Sequence, residues 1–157
     1  MEEQLVRPRP WSRVNLFPRD ETSDMWESET KLIVNLSRGT IVCEHGVIAD
    51  RALARMRGLL GRRELPAGEG LLLLPAPMIH TAFMRFAIDA VLLDSELTIV
   101  KLEPHLKPWR TAGASGARSV LELADGEIAR RGLAVGDRLA TRDARAWSSI
   151  AQTAIAA

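Results

Sequence analysis

The sequence predicts a mainly β protein, with α+β as the neighbouring possibility: a distorted antiparallel sandwich or partly closed barrel carrying one packed helix. Three observations lead there. Short apolar runs (KLIVNL, TIVCE, LLLL, AVLLD, LTIVKLE, RSVLELA) recur along the chain, bounded by Gly, Pro, Asp or Ser. One segment, 51–60, has the spacing of a buried helical stripe, with Ala52, Met56, Leu59 and Leu60 on one face. Between most successive runs no helix is available, and parallel βαβ units require one.

The elements follow in order. KLIVNL and TIVCE flank Ser37-Arg38-Gly39, a turn, so they read as a hairpin. Asp50 is suited to cap the helix over 51–60, and Gly61 to end it. LLLL, between the Gly68-Glu69-Gly70 loop and Pro75, reads as a buried strand. A strand over 79–86 and AVLLD come next, then a tight turn at Asp94-Ser95-Glu96 and LTIVKLE. Residues 104–117 read as loop, and RSVLELA as another strand. Asp125-Gly126 opens a short helical turn that Gly132 closes, and VGDRLAT is the last strand. The domain reading is a flexible arm over 1–30, a single compact β-rich domain over 31–142, and a tail or short helix over 143–157.

Composition narrows the function classes. A net charge of +1 gives no general attraction to nucleic acid or membranes, and no run approaches the ~20 apolar residues of a membrane span. The arm carries three Pro, seven acidic and four basic residues, yet also Trp11, Phe17 and Trp26, which suit docking on the domain or on a partner. The single cysteine, Cys43, permits no intrachain disulfide and reads as an inert core thiol, so a reducing, cytoplasmic setting is expected. Phosphate-loop, zinc-protease, hydrolase-elbow and dinucleotide motifs are absent, and no cofactor or metal is implied. The Arg-rich segment from Arg51 to Arg63 lacks interleaved aromatics and reads as a solvated helix face, not a nucleic-acid contact.

The stretch IHTAFMRFAID at 79–89 holds the candidate site. An apolar strand has no need of His80, Arg85 and Asp89, because an unpaired buried polar group costs on the order of 1–3 kcal/mol. As a flat strand, His80 faces one way and Thr81 and Arg85 the other, and Arg85 is within reach of pairing with Asp89 or Glu122. The candidate binding residues are His80, Thr81, Arg85, Asp89 and Glu122, edged by Trp109 and Arg110 from the loop HLKPWR. The reading they favour is a non-catalytic module for a small polar ligand or a peptide. Two others stay open: an enzyme with His80 as acid or base and Asp89 or Glu122 setting its tautomer, and a scaffold acting through the aromatic arm.

The ordered blocks RGLLGRREL, GEGLLL, IHTAFMRFAIDAVLLD, HLKPWR, SVLEL and GDRL resemble a bacterial and archaeal family catalogued as domain of unknown function 192. The resemblance runs from about Lys31 to Leu139. It implies a compact, mainly β domain with one helix, and no established activity. Ala76 stands where similar members often have Cys, and Ala87 where many have Pro. A bend before Asp89 must then come from tertiary packing.

Overall fold

The computed structural model describes residues 30–50 and 59–143. Residues 51–58 of the helix expected over 51–60, nearly all of the arm and most of the tail lie outside the described residues, and Leu59, Leu60 and Gly61 form a turn. Among the described residues nine strands form: β1 (Lys31–Asn35), β2 (Thr40–Ala49), β3 (Glu69–Leu73), β4 (Met78–His80), β5 (Ile88–Leu93), β6 (Ile99–Leu106), β7 (Thr111–Gly113), β8 (Ser119–Ala124) and β9 (Leu139–Asp143). The helix α1 (Glu127–Arg131) lies between β8 and β9, bracketed by Gly126 and Gly132 in left-handed conformation.

Seven strands make one sheet in the order β6-β5-β8-β3-β2-β1-β9, and β4 and β7 form a separate two-stranded layer. The expected mainly β class holds. All neighbours are antiparallel except β2 and β3, which run parallel across the connection over residues 50–68. A parallel pair needs a long crossover, and this connection is the one interval in which the sequence places a helix. The sheet is not closed into a barrel, but an isolated bridge between Thr98 and Arg138 brings its first and last strands together at one end.

Alternation along the strands sends side chains to two cores. The first contains Val47, Leu71, Leu73, Ile88, Leu92 and Val120, and is covered by Ile79 and Ala112 of the two-stranded layer together with Leu59, Leu65 and Met84. The second contains Val42, Cys43, Leu72, Val91, Leu121 and Leu123, and is closed by Ile128 of α1 with Leu133 and Leu139. The Cys43 thiol is buried, donates to the Gly68 carbonyl at 3.2 Å, and is pushed up to about 12 by desolvation, as an inert core thiol should be.

Residues 79–86 depart from the expected strand. β4 ends at His80, residues 81–87 form loop, and β5 belongs to the other sheet. The apolar content of IHTAFMRF suits a strand, but Phe83 takes φ 63°, which no strand allows. The stretch read as loop over 104–117 also differs, since β6 extends through Leu106 and β7 begins at Thr111.

Candidate functional site

Thr81 joins the two loops that leave the two-stranded layer. It is fully buried. Its backbone N–H donates to the Arg110 carbonyl (2.8 Å), and its own carbonyl accepts from the N–H groups of Trp109 (3.0 Å) and Met84 (3.2 Å). Its hydroxyl donates to the Lys107 carbonyl (2.7 Å) and accepts from the Arg110 N–H (2.9 Å). A buried hydroxyl able to donate and accept is what this crossing of two loops requires.

The hub holds two aromatic residues outward. Phe83 and Trp109 have φ of 63° and 62°, a left-handed conformation that bulky L residues avoid. Their rings meet edge to face with centroids 4.6 Å apart, yet 71% of Phe83 and 60% of Trp109 stay exposed. Met78 of β4, also exposed, adds a third large apolar group to this layer. Three of the five exposed large hydrophobic residues therefore lie here, among the described residues. The cations Arg85, Lys107 and Arg110 stand exposed on the same two loops, and His80 pairs with Thr111 on the exposed edge of the layer.

Asp89 is elsewhere. It pairs with Leu123, so its side chain enters the second core, on the opposite face of the sheet from Thr81. It is 1% exposed and accepts the N–H of His105 (2.9 Å) and the N–H of Ile128 (2.7 Å). The second bond satisfies the start of α1, where Gly126 offers no side-chain cap. Glu122 lies on the other face, in one row with Leu71 and Ala90, within the first core. One of its carboxyl oxygens has no hydrogen-bond partner among the described residues, and burial pushes its pKa from 4.5 up to about 8. Burial thus favours its neutral form.

Of the residues singled out in the sequence, the structure gathers Thr81, Trp109 and Arg110 in one hub, with His80 and Arg85 on the exposed side. It separates Asp89 and Glu122 from them and from each other. The Arg85 pairing with Asp89 or Glu122 does not occur: Arg85 is exposed, and Asp89 is satisfied by backbone N–H groups. His80 contacts no carboxylate among the described residues. The His–carboxylate pair is His105 with Asp125 (2.9 Å), on the surface, with His105 at φ 54°. Phe83 was not singled out, because the strand reading made it one of several alternating apolar residues. A left-handed non-glycine residue leaves no mark in sequence.

The model of the DUF192 family, described as "Uncharacterized ACR", matches residues 33–141. The chain belongs to this family. UPF0127 protein PF1050 of Pyrococcus furiosus is 32% identical over 113 residues, which span 68% of this chain and 95% of that protein. Two crystal structures share the fold. A protein of unknown function from Novosphingobium aromaticivorans superposes with a TM-score of 0.62 at 21% identity, over 70% of this chain and 83% of that one. A Sinorhizobium meliloti protein called a transcription regulator gives 0.61 at 24% identity, over 72% and 92%. At these identities the likeness concerns fold alone. The family and its relatives are of unknown function, and among the described residues no helix is long and apolar enough to cross a membrane.

Proposed function

We propose that the protein is a non-catalytic binding module whose ligand is an acidic peptide segment carrying an aromatic side chain. The site is the exposed face around Thr81: the Phe83–Trp109 pair, with Arg85 and Arg110 beside it and His80 at its edge. The observation that carries this reading is the strained presentation of the two rings. A left-handed non-glycine residue costs about 1–3 kcal/mol, and here the cost falls on two bulky residues whose rings stay largely in solvent. Stability alone favours Gly or Asn at such positions. An edge-to-face aromatic pair offers a rigid apolar surface at low entropic cost, and flanking guanidinium groups suit carboxylates. The lone, buried Cys43 fits the accompanying proposal of a reducing, cytoplasmic setting.

The test is selection of displayed 15-residue peptides against the wild-type protein and Trp109→Gly. The variant relieves the backbone strain while removing the ring, so its melting temperature stays close to wild type. Expected are peptides holding an aromatic residue and at least two acids, with binding lost in the variant. Peptides that bind the variant equally well, or no selection at all, would remove the reading.

A further inference from the structure

The two-stranded layer leaves a strand edge open beside the aromatic pair. Resting on the platform reading above, we infer that the acidic peptide binds in extended form and adds to β4 as a third strand, its backbone paired with Met78 and His80.

Hydrogen-bond parity decides which groups are free. Thr81 continues the β4–β7 register opposite Arg110 and donates its N–H to the Arg110 carbonyl (2.8 Å). Bonded pairs recur at every second residue of an antiparallel ladder, so Ile79 and Ala112 form the next one. Met78 and His80 therefore turn their N–H and C=O groups away from β7. None of these four groups has a hydrogen-bond partner among the described residues. Both side chains are exposed, while Ile79 between them enters the first core. The open stretch is short. Ala76, the preceding residue of the same parity, already donates to the Arg118 carbonyl (2.8 Å), and beyond His80 the chain leaves the strand. β7 offers a poorer edge, because the Gly113 carbonyl accepts from Lys101 Nζ (3.4 Å).

Position and charge name the occupant. The edge ends beside the platform: the carbonyl of Thr81, the residue after His80, accepts the Trp109 N–H (3.0 Å), and Phe83 lies on the same loop. Strand addition draws affinity from main-chain bonds and specificity from alternate side chains. Residues 75–87 and 107–118, which make up the layer and its loops, carry Arg85, Lys107, Arg110 and Arg118 with His80, and no Asp or Glu. All five of these side chains are exposed. Carboxylates on an added strand are thus met by cations on the loops around it, whereas a basic strand is repelled.

The probe is a synthetic peptide of sequence DEVFVED, capped at both ends, with a set of analogues that each carry one N-methylated backbone amide. Binding to the full chain is read by NMR titration. Expected is alternation: methylation at every second residue weakens binding by about tenfold or more, and methylation at the residues between changes it by less than about twofold. Amide exchange at Met78 and His80 should slow by about tenfold or more in the complex, with Ile79 unchanged. A uniform methylation profile, or slowing at Thr111 and Gly113 instead, overturns the inference, and so does a failure to bind up to about 1 mM. Exchange at Met78 and His80 that is already slow in the free protein and quickens on dilution means that a second copy's β4 holds the edge, which also overturns it. If binding is lost in Trp109→Gly while the methylation profile is uniform, the added strand fails and the platform stands. If alternation persists at full affinity in Trp109→Gly, the added strand stands and the platform fails.

Discussion

Replacing Glu122 by Gln should convert a pH-dependent protein into one with a flatter profile. The carboxyl is buried between Leu71 and Ala90 in its row, with one oxygen unpartnered. Its pKa lies at about 8 in the fold against 4.5 for the free group. Between these values the unfolded chain has released the proton and the folded chain still holds it. Unfolding stability then falls with rising pH, by about 1.4 kcal/mol per unit. The stabilising contribution is fully present below the unfolded pKa and is lost by the time pH passes the folded one. Across this window the loss sums to about 5 kcal/mol, comparable to the whole stability of a small domain. Glu122→Gln abolishes this titration but buries an amide whose donors have no partner, at about 1–3 kcal/mol. The variant should therefore be less stable than wild type at pH 4.5 by about that amount, and more stable at pH 8 by about 2–4 kcal/mol. Urea unfolding of both proteins from about pH 4 to pH 9 gives the difference directly, and other titrating groups cancel in it. A wild-type-minus-variant difference that does not change with pH would refute the reasoning.

Three further outcomes follow from the same contacts. Asp89→Asn should lower stability by about 2–3 kcal/mol, because it replaces a carboxylate shared by the His105 and Ile128 N–H groups with an amide that offers one acceptor, and calorimetry at pH 7 checks it. Thr81→Val should cost about 1–3 kcal/mol and speed hydrogen exchange at Arg110, whereas Thr81→Ser should leave that exchange slow; equal rates in the two variants would contradict the hub. Burial opposes ionisation of Glu127, but hydrogen bonds from Arg130 and Arg131 outweigh it and hold its pKa below the usual range. Its contribution is therefore present above the unfolded pKa and lost as pH falls through the folded one, so acid titration of Glu127→Gln should show a shallower decline below about pH 4 than wild type.

The fold class was legible because the strands obey local rules. KLIVN and TIVC are apolar runs around a turn that contains a glycine, and Gly39 does adopt φ 66°. The helical turn after Asp125-Gly126 was legible for the same reason, since Gly126 and Gly132 mark both its ends. What escaped was non-local. The parallel pairing of β2 with β3 depends on where the connection over 50–68 travels. The division of 79–89 between two sheets depends on Thr81 finding Lys107 and Arg110, whose separation in sequence carries no periodicity. At the site, the sequence marked the polar residues of that stretch because they are out of place among apolar neighbours. It could not show that Asp89 and Glu122 leave the sheet on opposite faces. Nor could it show that Phe83, read as one more apolar residue, is turned outward by a left-handed backbone.

The position of β3 has a consequence for how the protein fails. In the order β6-β5-β8-β3-β2-β1-β9, β3 is the strand that joins the two three-stranded flanks, and beyond it the bridge between Thr98 and Arg138 ties the outermost strands at one end. Should β3 detach, β2 and β8 are left as bare edges. β8 is buried throughout and β2 runs ten residues, so both edges are long or apolar enough to template another chain. Neither edge carries a proline to block such pairing. Partial opening of this molecule therefore leads toward intermolecular strand pairing. The onset of aggregation on storage should keep pace with amide exchange in Leu71–Leu73 and not with fraying of β6 or β9.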